Sequence, residues 1–203
     1  MSAPADAAQA LDVLRHVPVV ALPGLDIAGC DLAKAAVAGL SFRQARPVVG
    51  EAARAVQQDF RICSVVPPEN SLWELGGALS ALFDAALRLV PDAPIPAADF
   101  NDLVVQVYPA GAGGISPHRD HIRYSGLVVL VIVDDGGRFA VCDDRSGAGA
   151  ITVSANAGDL LIMRGAGFAG RRERPFHFLD TIKRPRLSIG YRHDSRAPKS
   201  FRP

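Results

Sequence analysis

The feature that most constrains the fold is a run of short segments rich in β-branched residues, which fills the second half of the chain. Glycine, aspartate and asparagine separate these segments, and such residues end strands and favour turns. About eight strands at short intervals are typical of a double-sheet jelly roll or a cupin-like barrel. The predicted strands are Leu103–Tyr108, Gly114–His118, Gly126–Val133, Arg138–Cys142, Ala150–Val153, Asp159–Met163, Pro175–Leu179 and Arg186–Arg192.

The first half of the chain has a different, mainly helical periodicity. The segment Ser71–Glu74 matches a capping box, and the apolar stripe that follows it at helical spacing stops at Pro91. Weaker patterns predict helices at Leu32–Leu40 and Glu51–Phe60. In the second half, the residues Asp134-Asp135-Gly136-Gly137 predict a hairpin turn between two of the strands.

These patterns predict one mainly β (α+β) domain over residues 1–203. We expect residues 1–100 to be mostly helical support, residues 101–193 to form a double-stranded β-helix (jelly-roll) core, and residues 194–203 to form a tail. The longest aliphatic run, Leu127–Val133, is too short to cross a bilayer, and the N-terminus lacks the apolar core of a signal peptide. Three scattered cysteines indicate neither a disulfide framework nor a zinc site, so we expect a cytoplasmic protein without membrane contact.

Charge is unevenly distributed along the chain. Residues 101–203 carry 15 Lys and Arg against 10 Asp and Glu, a net charge of +5, whereas residues 1–100 carry 7 against 11, a net charge of −4. A basic half is compatible with an anionic cosubstrate or with a nucleic acid, although such asymmetry most often reflects a solvated surface. The sequence does not indicate an oligomeric state.

Three residues form a candidate metal site. The side chains of His118 and Asp120 are two positions apart, and on a strand such residues face the same side. His177, near the end of the strand series, can supply a second imidazole. Two histidines and one carboxylate are the ligands of non-haem Fe(II) sites that leave coordination positions open. A lone histidine is more often a core residue than a ligand, and we interpret His121 and His193 as surface residues.

The last predicted strand places arginine on the interior side of the barrel. Its alternation puts one set of residues on one face (Arg186, Ser188, Gly190 and Arg192) and an apolar set on the other (Leu187, Ile189 and Tyr191). A guanidinium group inside an apolar barrel is costly unless it meets an anion. Its planar fork suits a carboxylate, to which a neighbouring serine hydroxyl can add a hydrogen bond.

Taken together, the pair His118 and Asp120, the distal His177, and the Arg186-x-Ser188 pair resemble the Fe(II)/2-oxoglutarate-dependent oxygenase superfamily. This resemblance implies Fe(II) as the metal, 2-oxoglutarate as cosubstrate and O2 as oxidant. It also implies that His118, Asp120 and His177 are the catalytic metal ligands.

The finer pattern is similar to the AlkB-like branch of that superfamily. Gln106 and Tyr108 precede the metal motif, and Arg192 follows Arg186 after five intervening residues. The resemblance implies that Arg186, Ser188 and Tyr108 bind the distal carboxylate of 2-oxoglutarate. It places Gln106 and Arg192 near the end of the cosubstrate that chelates the metal.

The sequence departs from the AlkB pattern where nucleic acid would be recognised. Gln106 stands where asparagine is usual, and Ile122 stands where DNA repair enzymes of that type carry an acidic residue. The N-terminal half shows no nucleotide-recognition lid. Ile122, Arg123 and Tyr124 follow the metal motif and are predicted to border the substrate site.

We therefore expect a dioxygenase that oxidises, most simply hydroxylates, a C–H bond of a small molecule and releases succinate and CO2. One alternative is an AlkB-type oxidative demethylase of nucleic acid or protein, which the basic half of the chain favours. A second alternative is a non-enzymatic, cupin-like module that binds a metal or 2-oxoglutarate.

Overall fold

The structure is a computed structural model that describes residues 1–95 and 97–196. The first hundred residues contain three α-helices and five short strands, with a 3-10 turn at Ala52–Arg54. The helices are α1 (Pro4–Val13), α2 (Ile27–Ala38) and α3 (Leu72–Leu87). The strands are β1 (Val19–Pro23), β2 (Arg43–Gln44), β3 (Val48–Val49), β4 (Val56–Asp59) and β5 (Arg61–Cys63).

The second half contains the eight predicted strands, each within two residues of its expected bounds, and a second 3-10 turn at Phe168–Gly170. The strands are β6 (Asp102–Tyr108), β7 (Gly114–His118), β8 (Tyr124–Asp135), β9 (Arg138–Cys142), β10 (Ile151–Thr152), β11 (Asp159–Arg164), β12 (Phe176–Asp180) and β13 (Arg186–Asp194).

The strands form two antiparallel sheets that face each other. The larger sheet has the order β1-β11-β8-β13-β6-β5-β2, and the smaller has the order β10-β9-β12-β7-β4-β3. Chain segments cross repeatedly between the sheets, as in a double-stranded β-helix, and the predicted mainly β fold is confirmed.

The hydrophobic core has two layers on either side of the larger sheet. One layer packs that sheet against α1 and α3, and the other lies between the two sheets. Strand β8 contributes to both, since Val129 and Val131 face the helices whereas Val128 and Ile132 face the smaller sheet. Burial on both faces explains why this strand is a continuous aliphatic run rather than an alternating one.

In the N-terminal half the prediction was correct for α2 and α3, but it missed α1 and the strands. The pattern at Leu32–Leu40 corresponds to α2, whose first turn is capped by Asp26 Oδ1, an acceptor for the Gly29 amide at 2.8 Å. The predicted helix Glu51–Phe60 is wrong, because this segment contains only the 3-10 turn and the strand β4, which pairs with β7. Here cross-strand pairing outweighs a weak helical periodicity.

Two local predictions are also corrected. Ser71 makes no capping hydrogen bond; instead Asn70 Oδ1 accepts from the Leu72 amide at 3.0 Å at the start of α3. The segment Asp134–Gly137 is not a hairpin turn, because it carries the chain from β8 in the larger sheet to β9 in the smaller one. Gly136 is required in this crossover, since a Cβ there would lie 2.0 Å from the Arg184 carbonyl oxygen.

Residues 197–203 of the predicted tail, and Pro96 of the connector, lie outside the described residues. Within the part that is described, no helix combines the length and the apolar character needed to cross a membrane.

The contact between α3 and β13 gives a matched test of the packing. A Cβ on Gly76 would lie 2.9 Å from the ring of Tyr191, which is fully buried and donates its hydroxyl to Leu72 O at 2.7 Å. A Cβ on Gly77, the next residue of the same helix, would meet nothing.

We expect Gly76→Ala to lower the free energy of unfolding by about 1–3 kcal/mol through overpacking. Gly77→Ala should raise it by up to about 1 kcal/mol through helix propensity. Urea unfolding measures both, and equal stabilisation by the two changes would contradict this packing.

Candidate active site

The three predicted metal ligands lie at one end of the smaller sheet. His118 is the last residue of β7, and His177 is the second residue of β12. The two are register partners across these antiparallel strands, and their rings lie side by side with centroids 4.3 Å apart. Asp120 lies just beyond β7, in the segment that leads to β8. The carboxylate ligand therefore comes from the segment between β7 and β8 and not from a strand.

The ligand atoms of these residues converge as predicted. One atom from each of His118, Asp120 and His177 lies within 4.8 Å of the other two. His118 Nε2 and Asp120 Oδ1 are 4.0 Å apart. To bind a single ion with ligand bonds of about 2.0–2.2 Å, these side chains would have to move slightly closer together, because two atoms bound to one ion lie at most about 4.4 Å apart.

A backbone carbonyl two residues earlier orients each imidazole. His118 Nδ1 lies 2.9 Å from Ser116 O, and His177 Nδ1 lies 3.2 Å from Pro175 O. Because a carbonyl oxygen only accepts, Nδ1 of each ring carries a proton and donates it. This arrangement leaves the Nε2 lone pairs free for a metal, a common way of fixing ligand histidines.

The electrostatic environment favours the metal-binding protonation states. Burial, followed by the neighbouring His177, lowers the pKa of His118 to about 4. Burial, the largest single influence, raises the pKa of Asp120. The neighbouring His177, Arg192, His118 and Arg174 together outweigh it, so the net shift is downward. At neutral pH the site therefore presents a neutral imidazole at position 118 and a carboxylate at position 120, the forms that bind metals.

The ligands face a cavity of about 60 Å³ between the two sheets. Much of its wall is apolar and includes Val128, Leu130, Phe139 and Met163. Sequence reasoning did not identify Phe139. Side chains alternate along a strand, so Phe139 on β9 points inward because its neighbour Arg138 is exposed.

The predicted cosubstrate residues line the same cavity. In the pairing of β6 with β13, Arg186 is opposite Tyr108 and Ser188 is opposite Gln106. All four residues contribute to the cavity wall. The alternation predicted for β13 is confirmed, because Leu187, Ile189 and Tyr191 belong to the core layer on the opposite face.

Arg186 is a buried cation. It is only 3% exposed, and burial lowers its pKa. Among the described residues its guanidinium makes one hydrogen bond, from Nη1 to Gly136 O at 3.3 Å. No described carboxylate lies within 4.0 Å of it, and its neighbour Asp135 accepts instead from Arg184 at 2.9 Å. A buried guanidinium without an anionic partner is costly, which indicates that the site is completed by an anion.

Arg192 also lines the cavity, but it has partners within the protein. Its Nη2 lies 2.6 Å from Asp102 Oδ2, and its guanidinium lies over the ring of Tyr124 at 4.0 Å from the centroid. Asp102, which sequence reasoning missed, therefore neutralises the arginine nearer to the metal ligands. Arg186 is left as the unneutralised cation of this cavity.

The predicted substrate residues do not line this cavity in the described structure. Ile122 is 39% exposed, whereas Tyr124 is buried. Arg123 donates to the Tyr124 hydroxyl at 2.7 Å, and its Nε lies 3.2 Å from Asp194 Oδ2. Arg123 is thus engaged within the protein and is not free to meet an anionic substrate without rearrangement.

The three other histidines, His16, His121 and His193, lie outside the metal group. His121 is exposed and accepts from the Arg123 amide. His193 was expected beyond the last strand but lies within β13, and its Nδ1 donates to Asp99 O at 2.9 Å. The strand is longer than predicted because Asn101 and Asp194 exchange hydrogen bonds at its end.

Comparison with known proteins identifies the fold. No protein-family model and no curated protein sequence matches the chain. A prolyl-4-hydroxylase from Pseudomonas putida is similar in structure, with a TM-score of 0.61 and 18% identity over 92% of this chain and 98% of that one. An oxidoreductase of the 2OG-Fe(II) oxygenase family from Burkholderia pseudomallei gives a TM-score of 0.63 and 19% identity over 94% of both chains.

The protein OsALKBH1 is similar to about the same degree. Its TM-score is 0.60 with 15% identity, over 87% of this chain and 98% of that one. At such identities the likeness shows a shared fold. It does not single out the AlkB-like branch, since a prolyl hydroxylase is as similar. The chain thus has the fold of Fe(II)/2-oxoglutarate oxygenases and carries the His-x-Asp and distal His pattern within it.

The metal centre can be tested with two neighbouring histidines. We expect His118→Ala to weaken Co(II) binding by about 100-fold or more, because one of three protein ligands is lost. His121→Ala should leave the affinity unchanged, since His121 lies outside the ligand group. Titration of the apoprotein, followed by the cobalt absorption bands, measures both affinities. Equal losses in the two variants would remove His118 from the site.

Proposed function

We propose that this protein is an Fe(II)- and 2-oxoglutarate-dependent dioxygenase that oxidises a C–H bond of a small molecule. One observation carries the proposal. A single cavity is lined both by the convergent His118, Asp120 and His177 and by the buried, unneutralised Arg186.

The donor set fits Fe(II). Two imidazoles and one carboxylate on one side of an ion leave the opposite positions open for a chelating cosubstrate and for O2. With 2-oxoglutarate bound, the iron would couple decarboxylation of the cosubstrate, which yields succinate and CO2, to oxidation of the substrate. The Asp120 carboxylate, whose pKa the positive groups around it lower, would help to hold the dication.

The remaining residues of the cavity would bind and orient the cosubstrate. The guanidinium of Arg186 would take the distal carboxylate with two parallel hydrogen bonds, and the Ser188 hydroxyl would add a third. Tyr108, paired with Arg186 across the strands, has a raised pKa because it is buried, so its hydroxyl stays protonated and can donate. The apolar wall around Phe139 and Met163 would keep water away from the reacting atoms.

A small-molecule substrate is favoured over a nucleic acid. Binding of single-stranded nucleic acid generally uses exposed aromatic rings on which bases stack. Of the two aromatic rings that flank residues 171–174, Phe168 is fully buried in the core layer against the helices. The other, Phe176, already carries the guanidinium groups of Arg119 and Arg145 at 4.0 and 5.8 Å from its centroid. Neither ring offers a free platform for a base.

Demethylation of nucleic acid or protein by an AlkB-type reaction is the second candidate. The observation in its favour is the pair Arg119 and Arg145, neither of which makes an ion pair among the described residues. These guanidinium groups could contact phosphates.

Binding of 2-oxoglutarate can be tested with adjacent arginines. Anaerobic addition of Fe(II) and 2-oxoglutarate should produce a visible metal-to-ligand charge-transfer band. We expect Arg186→Gln to weaken 2-oxoglutarate binding by about 100-fold, which corresponds to loss of a charged bidentate contact of roughly 3 kcal/mol. Arg184→Gln is the control, because that side chain is 73% exposed and pairs with Asp135. Absence of the band in the wild-type protein would refute the proposed function.

The substrate class can be tested by succinate formation. In a screen of small molecules and methylated oligonucleotides, we expect succinate above the uncoupled background with a small molecule. Oligonucleotide binding should be weak, and Arg119→Gln should not change the slope of affinity against salt concentration. A slope that decreases by about one unit in Arg119→Gln would favour the demethylase instead. A charge-transfer band without succinate formation on any substrate would favour a non-enzymatic binding module.

A further inference from the structure

Arg186 lines a second cavity in addition to the one that holds the metal ligands. This second cavity has a volume of about 290 Å³ and is formed by the start of β9 and the segment that follows β10. Arg186 and Phe139 are common to the linings of both cavities. The same buried arginine therefore borders two separate spaces.

The guanidinium has more donors than the cosubstrate can use. An arginine side chain offers five N–H groups, and a bidentate carboxylate takes two of them. Gly136 O takes one more, at 3.3 Å. Two N–H groups of Arg186 are then left without a partner among the described residues. This count rests on the proposed function, in which 2-oxoglutarate occupies the first cavity.

The lining of the second cavity suits an anion. No described carboxylate lies within 4.0 Å of Arg186. Besides Arg186, the charged lining residue is Arg138, which already pairs with Asp180 at 2.6 Å. The neutral polar lining comes from Thr152, Ser154 and Asn156, whose hydroxyl and amide groups can donate hydrogen bonds. Gly137 also lines the cavity. Its φ of +89° disfavours any other residue at this position.

We propose that the second cavity binds a small planar anion, of the carboxylate or inorganic oxyanion class, on the edge of Arg186 that the cosubstrate leaves free. Two anions on opposite edges of one guanidinium repel each other and share its charge. The second anion weakens 2-oxoglutarate binding without displacing it. By reciprocity, 2-oxoglutarate weakens binding of the second anion by the same factor. The affinity for the cosubstrate thereby depends on the small anions present.

The test is a titration of the Fe(II) protein with 2-oxoglutarate under anaerobic conditions, followed by the charge-transfer band. The titration is repeated at increasing formate, and separately at increasing nitrate, with ionic strength held constant by a bulky organic sulfonate. In the wild-type protein we expect the apparent Kd for 2-oxoglutarate to rise by about threefold to tenfold and then to reach a plateau, as coupling between two sites requires.

Two variants in the same segment separate the second cavity from the first. Ser154→Phe places a ring in the second cavity and should abolish the plateau effect, so that formate no longer changes the apparent Kd by this route. Ala157→Phe is the matched control, since Ala157 is exposed and does not contribute to the lining. It should behave as the wild-type protein does.

Each other outcome overturns the proposal. A linear rise without a plateau, equal in all three proteins, would mean that formate only competes in the first cavity. No effect of either anion on the wild-type protein would mean that the second cavity takes no anion. If 2-oxoglutarate gives no band at all, the proposed function fails first. The anion site is then tested by the line width of ¹³C-formate with the metal-free Ser154→Phe and Ala157→Phe proteins, and equal broadening would exclude it.

Discussion

The pairing of β7 with β12 is the interaction on which the candidate site depends. It sets His118 opposite His177 in the register of the smaller sheet, with both side chains directed between the sheets. Side chains alternate along a strand, so a slip of one residue would turn one imidazole to the outer face. The register is held by pairing on both sides, since β12 also pairs with β9 and β7 also pairs with β4. The metal centre is therefore as well defined as the sheet itself.

Strand β13 links the stability of the fold to the cosubstrate end of the site. Its Leu187, Ile189 and Tyr191 side chains belong to the core layer between the larger sheet and the helices. The intervening Arg186 and Ser188 face the cavity. Because both sets are on one central strand, packing against α3 fixes the position of the guanidinium. The N-terminal helices thus support the site although none of their residues lines it.

The second half of the chain could be predicted closely because its elements have a strong local signal. Strands rich in β-branched residues were located to within two residues, and alternation alone assigned both faces of β13. The convergence of His118, Asp120 and His177 followed from spacing together with a family resemblance. Neither the spacing nor the resemblance alone predicts that His118 on β7 lies opposite His177 on β12, since this depends on a register set by residues far apart in the sequence.

The errors fall where tertiary contacts override local pattern. The short strands β2 to β5 have two to four residues each, too few for a periodicity to be visible in sequence. Asp134–Gly137 has the composition of a hairpin turn, but its strands belong to different sheets. The engagement of Arg123 and Arg192 by Asp194 and Asp102 joins residues far apart in sequence, so it could not be predicted from spacing.

The distribution of charge in the cavity has a simple consequence for the proposed function. Arg192 is neutralised by Asp102, and the imidazole of His118 beside Asp120 is neutral because its pKa is lowered to about 4. Among the described residues, Asp120 at one end of the cavity and Arg186 at the other therefore have no ion-pair partner of opposite charge. A bound dication and a bound dicarboxylate also cancel each other in total charge. Each ligand, however, brings to its end of the cavity a charge opposite to that of the protein residue there. The metal would offset the carboxylate of Asp120, and the distal carboxylate of the cosubstrate would offset Arg186. The cavity is thus neutral in total both with and without these two ligands, but it is neutral at each end only when both are bound.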